Sequence, residues 1–456
     1  MALRDLIHNL PGVRGPTEKK VSFNVKLKWT LTILVGYFIL SNIALFGITE
    51  GDYSRFELYA VLLGASFGSI ITLGIGPIVM SSIILQLLSG AGIINIDQNT
   101  DEGKKFFQGM QKLLAFAFVI FEAMVYVLMH AISAQPGFTG FVIFQLCLGG
   151  IMIIFMDEVV QKWGFGSGVS LFIAAGIGWS LFTKLFQFIE PATGNFGAVG
   201  NVLAIVASVM NGDGAGVANA FFPIVVTAVL FLAVVFAQSL KVEVPLAFDR
   251  IRGHSMKWPL QFFYAGVIPV ILVSALIANL QLFGSLLQNW LGHATFLGGF
   301  SEGGQAISGL AFWIGSTPLL QEIITGSFRW VYAAQAVGHI LFYTVFSVIF
   351  AFFWVGTSGM DARSQAKKIV SSGMSMPGFR KDERVLEAIL KRYVGPLTIM
   401  GGIAIGLLAS IADLMGALVG GTAILLAVMI LYQLYQNIAQ QHAVDMNPML
   451  KGFFGA

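Results

Sequence analysis

The chain has 456 residues, of which 56% are hydrophobic and only 11% are charged, whereas about a quarter of the residues in soluble domains are charged. This composition excludes a soluble globular protein and predicts a polytopic helical membrane protein. The one cysteine, Cys147, excludes an intrachain disulfide and a cysteine-based metal site. The net charge of +3 is uninformative until its distribution along the chain is known.

Residues 1–28 contain no apolar stretch with a cleavage site of the kind found in signal peptides. They are basic and amphipathic, and we expect them to lie on the cytoplasmic face of the membrane. Ten apolar stretches then follow along the chain. The predicted spans are 29–48, 69–90, 113–133, 141–161, 168–189, 219–239, 262–285, 331–357, 396–415 and 420–441.

An even number of spans places both termini on one side. With the termini inside, 23 of the 26 Lys and Arg residues are cytoplasmic, and only Arg55, Lys184 and Arg329 are outside. The positive-inside rule therefore predicts cytoplasmic termini in a cell membrane.

The second span contains Gly74, Gly76 and Pro77, and residues 55–67 before it are apolar but too short to cross a bilayer. Broken or half-length helices are tolerated in a membrane only where they are buried in protein or line a cavity. The pattern therefore places the functional centre of the protein beside this span.

Two cytoplasmic loops, 240–260 and 358–396, are long and basic. Ordinary topogenic charge explains such loops in many membrane proteins, and a docking surface for a polyanionic partner is the other explanation. The length of the loops and the charged sequence GFRKDE at 378–383 favour docking.

Faint internal similarity divides the chain into halves, 29–215 and 216–456. Residues 166–173 resemble 420–426, and residues 76–79 resemble 268–271. The paired spans run in opposite directions, so the halves are predicted to be inverted repeats around a central pathway.

Aliphatic side chains share helix faces in these same segments, as Ile75 and Val79 do at i, i+4 spacing. Packing or lipid contact explains any single such pair. Ionisable residues within the spans are few, with Glu122 the clearest and His339 and Asp413 nearer the span ends. This combination favours a hydrophobic constriction, which excludes water and ions.

The collinear segments 72–94, 106–114, 156–176, 241–253, 268–283, 378–398 and 416–428 closely resemble the SecY/Sec alpha family of protein-translocation channels. They include TLGIGPIVMSSIILQLLSG, FFQGMQKLL and KVEVPLAFDRIRG. The resemblance extends from about residue 27 to about residue 447. The sequences of the matching segments are closer to those of the archaeal and eukaryotic members than to those of the bacterial members. It implies an all-α fold of ten spans in two inverted five-helix halves around a central pore.

The resemblance also implies site residues. The residues matching the family's pore constriction, here called the ring, are Ile75, Val79, Val169, Ile173, Ile271 and Leu426. Residues 52–67 match the external plug. Polar residues at the lateral gate, the seam through which segments leave into lipid, are Ser81, Ser82, Gln86, Glu122 and Asn279; Met80 stands where the family has a threonine.

Partners are implied in the same way. The residues expected to dock the ribosome are Arg250, Arg252, Arg380, Lys381 and Arg384. The other expected partners are the small SecE/gamma and Sec beta subunits, nascent polypeptides with signal sequences, and the lipid bilayer. No catalytic residue, cofactor or metal is predicted.

Two other functions stay open at this point. A secondary transporter of small solutes also has inverted repeats and broken helices, but the spans lack the charged centre expected of one. An intramembrane protease would use Ser66 or Ser358, which lie in short glycine-containing patterns. Such patterns arise readily by chance in a chain with 53 glycines.

Overall fold

The computed structural model describes residues 10–17, 21–49, 64–90, 93–94, 100–129, 131–188, 200–248, 255–301, 305–324, 326–371, 374–375 and 383–446. The described helices are α1 Phe23–Ser41, α2 Gly76–Gly90, α3 Asp101–Leu128, α4 Thr139–Trp163, α5 Gly168–Phe186, α6 Asn201–Met210, α7 Gly214–Ser239, α8 Ile268–Leu291, α9 Gly309–Ile314, α10 Leu319–Ile324, α11 Trp330–Thr357, α12 Ala362–Ser371, α13 Glu383–Leu414 and α14 Gly421–Met446.

Ten of these helices correspond in order to the ten predicted spans: α1 to α5, α7, α8, α11, α13 and α14. Within the described ranges, nine of the ten are long and apolar enough to cross a membrane. The exception is α2, which is apolar but has only 15 residues. At about 1.5 Å per residue it covers only part of a bilayer core that is ~30 Å thick.

The second helix begins later than the predicted span. Residues 64–75 form successive turns, and the helix begins at Gly76 rather than near residue 69. Gly74 has a positive φ of 53°, which a continuous helix does not allow. Pro77 has no N–H to donate and suits the first turn of a helix, so the chain becomes helical there.

Several other helices also differ from the predicted spans; α3, for example, begins at Asp101 rather than near residue 113. The first helix begins at Phe23 and ends at Ser41, so residues 23–28 belong to it rather than to a segment on the membrane surface. The ninth span is part of α13, which already begins at Glu383 in the second basic loop. Polar and charged residues can extend a helix beyond the bilayer, and hydropathy alone does not report that extension.

The two basic loops contain a small sheet that was not predicted from the sequence. Its strands are β1 Lys241–Phe248, β2 Ser255–Gln261 and β5 Met374–Ser375, in the order β2-β1-β5. Both neighbouring pairs are antiparallel, with Ala247 opposite Ser375 and Phe248 opposite Met374. A second, two-stranded pair, β3 Gly299–Phe300 and β4 Ala306–Ser308, precedes α9.

One continuous apolar core joins the helices. It contains buried residues from α1 to α5, from α7 and α8, and from α11, α13 and α14. A smaller cluster beside the three-stranded sheet packs Leu260 and Tyr264 against α12 and the start of α13. The sheet of β2, β1 and β5, here called the platform, therefore has a hydrophobic base of its own, distinct from the larger core.

Candidate functional site

The six ring residues lie where four helices begin. Ile75 immediately precedes α2, and each of the others lies within about the first two turns of α2, α5, α8 or α14. Five of them are at most 5% exposed, and Val169 is half-buried. All six belong to, or pack against, the same apolar cluster.

The helix starts carry the ring because the chain turns sharply before each of them. Gly74 precedes α2, Gly166 precedes α5, Gly266 precedes α8 and Gly420 precedes α14, and each has a positive φ. Every ring residue has an aliphatic side chain. The arrangement brings apolar groups from two helices of each half into one buried region, which is what a water-excluding constriction requires.

The predicted plug lies mostly outside the described residues, which resume at Gly64. Residues 64–67 are not helical. An ideal Cβ on Gly64 would lie 3.5 Å from the carbonyl carbon of Phe172 and 3.6 Å from the nitrogen of Ile173. The last part of the predicted plug therefore contacts α5 at a ring residue.

The predicted gate residues on α2 are partly paired. The Ser81 hydroxyl donates to the Ile78 carbonyl at 2.7 Å. The Ser82 hydroxyl oxygen accepts from the side-chain amides of Gln86 and Gln111, each at 3.3 Å. Since Gln111 is on α3, this contact joins α2 to α3 on one side of the predicted seam.

Three predicted gate residues have buried oxygens without a hydrogen bond. These oxygens are Oε1 of Gln86, both carboxyl oxygens of Glu122 and Oδ1 of Asn279. The side chains themselves are at most 2% exposed. The carboxylate of Glu122 lies against the start of α2, where an ideal Cβ on Gly76 would be 3.0 Å from its Oε2.

An aromatic contact joins the two sides of the predicted seam. The rings of Phe121 on α3 and Phe283 on α8 have centroids 6.4 Å apart and lie edge to face. α8 also packs directly against α2. The contact is exposed towards the outside of the helix bundle, since Phe121 is 48% exposed.

Of the predicted docking residues, only Arg384 is described. It is exposed in the first turn of α13. Arg250, Arg252, Arg380 and Lys381 lie outside the described residues. Because β1 pairs with β5, the two basic loops nevertheless share one sheet at their base.

A polar contact joins the chain after β2 to the turn between α11 and α12. The hydroxyl of Tyr264 donates to the Met360 carbonyl at 2.6 Å. Burial raises the pKa of Tyr264 to about 12, so the hydroxyl keeps its proton and its donor role at neutral pH.

The spans contain more buried ionisable groups than the sequence analysis recognised. His339 is buried, and its Nε2 lies 3.6 Å from Oδ2 of Asp413. Asp157, buried in α4, was not singled out at all. An acidic residue inside an apolar span and shortly before a glycine-rich helix start is the sequence signal that identifies it.

The protease patterns have no supporting geometry. The hydroxyl of Ser66 donates to the Ser41 carbonyl at 3.1 Å, so it is engaged by the main chain rather than by a base. Ser358 lies at the end of α11 with a buried hydroxyl that makes no hydrogen bond. Neither serine is arranged as an activated nucleophile.

Comparison with known proteins identifies the family. The SecY family model matches residues 69–435. The chain is 42% identical over 452 residues to the protein translocase subunit SecY of Methanothermobacter thermautotrophicus, covering 98% of this chain and 97% of the relative. The chain belongs to the SecY family.

Solved structures agree. One described as the structure of a protein conducting channel superposes with a TM-score of 0.83 at 37% identity, covering 97% of this chain and 98% of the other. Sec61 in the canine ribosome–channel complex from the endoplasmic reticulum gives a TM-score of 0.80 at 37% identity, covering 97% of each chain. The predicted SecY fold, ten spans in two halves, is confirmed.

Proposed function

We propose that this SecY-family chain is the pore-forming subunit of a protein translocase. It conducts unfolded polypeptides across the membrane and releases apolar segments sideways into lipid. The observation that carries this proposal is the buried aliphatic ring at the starts of four helices drawn from both halves of the chain. A purely apolar centre binds no polar solute, but it yields to an extended chain that pushes the side chains apart.

The ring is the seal of the resting channel. Its aliphatic side chains leave no polar surface for water to wet, so ions lose their hydration at this level. Residues 52–67 form the plug, as the family resemblance implies. The contact of Gly64 with the backbone at Ile173 supports this role, because it places the end of the plug segment beside the ring.

The seam between α2 and α3 on one side and α8 and α11 on the other is the lateral gate. Its buried, unpaired oxygens on Gln86, Glu122 and Asn279 support this assignment. An unpaired buried polar group costs about 1–3 kcal/mol, so the closed seam stores free energy that opening to water or to a polypeptide releases. An interface that never opens would be more stable with apolar residues in place of these polar groups.

The remaining assignments complete the proposal. The basic loops on the cytoplasmic sheet dock the ribosome, whose RNA phosphates attract arginine and lysine. The small SecE/gamma and Sec beta subunits pack on the lipid-facing surface, nascent chains with signal sequences are the cargo, and the bilayer receives released spans. The chain is a multi-pass protein of the cell membrane with cytoplasmic termini, and it is not an enzyme. The energy for transport comes from a partner.

Secondary transport is the alternative, and the pair formed by buried His339 and half-buried Asp413 is a structural observation in its favour. Asp413, however, accepts hydrogen bonds from the start of α14, from the Thr422 N–H at 2.6 Å and from the Thr422 hydroxyl. A carboxylate with these hydrogen bonds holds the start of a helix in place and does not serve as a binding group for a solute. The geometry therefore favours a channel.

Ion conductance in planar bilayers tests the seal. We expect the double variant Ile75→Gly, Ile173→Gly to conduct ions in the resting state, because deleting two side chains opens the constriction. The matched control is Ile39→Gly, Ile120→Gly, which changes two exposed isoleucines on α1 and α3. Equal, low conductance of both variants would count against the ring as the seal.

A further inference from the structure

Two buried or half-buried carboxylates occupy equivalent places in the two halves of the chain. Asp157 lies near the end of α4, just before α5, and Asp413 lies near the end of α13, just before α14. α4 and α5 are the last two spans of the first half, and α13 and α14 are the last two of the second. Both α5 and α14 carry ring residues.

In the first half, Asp157 binds the start of α5. Its Oδ1 accepts from the backbone N–H of Val169 at 3.0 Å. Its Oδ2 accepts from the Gln161 side-chain amide at 2.8 Å, which fixes the carboxylate in place. Val169 is itself a ring residue, so the carboxylate holds the backbone of the seal directly.

In the second half, Asp413 binds the start of α14 in the same manner. Its Oδ1 accepts from the backbone N–H of Thr422 at 2.6 Å, and its Oδ2 accepts from the Thr422 hydroxyl. His339 on α11 lies 3.6 Å from Oδ2. Thr422 is one helical turn before the ring residue Leu426, so the two residues lie on the same face of α14.

Glycines at the starts of α5 and α14 show the same correspondence between the two halves of the chain. An ideal Cβ on Gly168 would lie 2.6 Å from the Cα of Asp157, and one on Gly421 would lie 1.9 Å from the carbonyl carbon of Ala412, the neighbour of Asp413. Both glycines are the first residues of their helices. In each half, therefore, the start of the ring helix rests against the preceding span at its carboxylate, with no room for a side chain.

We propose that Asp157 and Asp413 are paired positioning residues of the pore seal. Each holds the start of one ring helix at the depth and rotation that brings its aliphatic side chains into the ring. The proposal rests on the function proposed above and adds to it which residues keep the resting channel closed. Neither residue needs to contact a translocating chain to do this.

The hydrogen bonds reveal more than ordinary helix capping. α5 already has an N-cap, since the Ser167 hydroxyl oxygen accepts from the Ser170 N–H at 3.4 Å. The bond from Val169 to Asp157 is additional, and it ties the helix to another span instead of to its own preceding turn. A contact of this kind sets where a helix sits rather than whether it forms.

The test compares substitutions at both aspartates in planar bilayers, with resting ion conductance as the readout. Asp157→Ala and Asp413→Ala remove the acceptors, and we expect resting conductance to rise several-fold in each and further in the double variant. Asp157→Asn and Asp413→Asn keep an oxygen for the backbone N–H, and we expect them to stay close to wild type. Rescue by asparagine is a result that loss of charge alone does not give.

Asp213→Ala is the matched control. Asp213 is also an aspartate that accepts a backbone N–H at the start of a span, from Ala215 at 3.1 Å, but its helix α7 carries no ring residue. We expect this variant to remain sealed. Thermal unfolding in detergent is measured for every variant, so that raised ion conductance is interpreted only for variants that fold.

If an alanine variant does not fold, glutamate at the same position decides the question. Asp157→Glu and Asp413→Glu retain the carboxylate, but the added methylene displaces the helix start because the glycine contacts leave no space. We expect these variants to leak. Conductance as low as that of Asp213→Ala in all the alanine and glutamate variants that fold overturns the proposal.

The experiment also separates this proposal from the assignment of the ring. If the Ile75→Gly, Ile173→Gly variant conducts and the aspartate variants do not, the seal stands and the positioning role fails. If the isoleucine variant also stays sealed, the ring assignment itself fails.

Discussion

At the scale of single residues, the proposed lateral gate depends on Glu122 and Asn279. Both are buried, both have oxygens without a hydrogen bond, and they lie on helices from different halves of the chain. Asn279 is half-satisfied, since its side-chain amide donates to the Ala275 carbonyl at 2.8 Å. Leaving such groups unpaired destabilises the closed state relative to any state in which water or a polypeptide reaches them.

Apolar replacements of similar size are predicted to hold the seam shut. In Glu122→Met, Asn279→Leu the unpaired oxygens are gone, so the closed state gains about 1–3 kcal/mol. Since about 1.4 kcal/mol changes an equilibrium tenfold, we expect insertion of a signal peptide to slow by roughly tenfold or more, measured in proteoliposomes.

The control for that double variant is Asn42→Leu, which removes an exposed asparagine whose amide already donates to the Phe38 carbonyl. It is expected to leave insertion unchanged. Faster insertion in Glu122→Met, Asn279→Leu than in wild type would contradict the view that these residues destabilise the closed seam.

At the scale of elements, the turns at 64–75 and helix α4 form one packed unit. An ideal Cβ on Gly149 would lie 1.9 Å from the Ile70 carbonyl oxygen. Main-chain atoms cannot yield as a flexible side chain can, so the helix and the turns contact each other through backbone. This contact fixes the turns that lead into α2 and its ring residues.

Gly149→Ala is therefore expected to displace residues 64–75 and to lower the thermal unfolding midpoint strongly. Gly178→Ala on α5 is the matched control, because nothing lies within 4 Å of its added Cβ. There the gain in helix propensity, about 1 kcal/mol, predicts an unchanged or higher midpoint. Equal midpoints for the two variants would show that the backbone contact does not constrain the turns.

The sheet of β2, β1 and β5 joins the two basic loops, which are far apart in sequence, into one platform for the proposed docking. We expect Arg380→Glu, Lys381→Glu to weaken ribosome binding, measured by co-sedimentation. The difference from wild type should be largest at low salt, where charge interactions are screened least. Arg329→Glu, a charge reversal predicted to lie on the external side, is the control, and binding that is unaffected by the double reversal would contradict the docking assignment.

At the scale of the whole molecule, the sequence predicted the order of ten spans because hydropathy reports directly on the bilayer. It also predicted that the second span is broken, since Gly74 and Pro77 are local signals. It did not predict the three-stranded sheet, because the pairing of β1 with β5 joins residues far apart in the chain. The position of Asp157 inside an apolar span is a local signal, but its role depends on how α4 meets the start of α5, which no local pattern encodes.

The two halves of the molecule must separate along the α3–α8 seam if this is the lateral gate. Phe121 and Phe283 meet across it with ring centroids 6.4 Å apart. Cysteines at these two positions, in a Cys147→Ser background, can be joined by a short cleavable thiol-reactive linker. A signal peptide carrying a photo-reactive group is expected to label positions 79–86 and 268–279 in the untethered channel.

The tether should abolish that labelling and leave resting conductance low, and cleavage of the linker should restore the labelling. Phe116 and Phe155 supply the matched control, because their rings lie 6.2 Å apart on α3 and α4 within the same half. A tether between those two positions stiffens one half without joining it to the other, so labelling should persist. If instead the tether across the seam leaves labelling intact, the signal peptide enters between another pair of helices, and the two halves do not part where α3 meets α8.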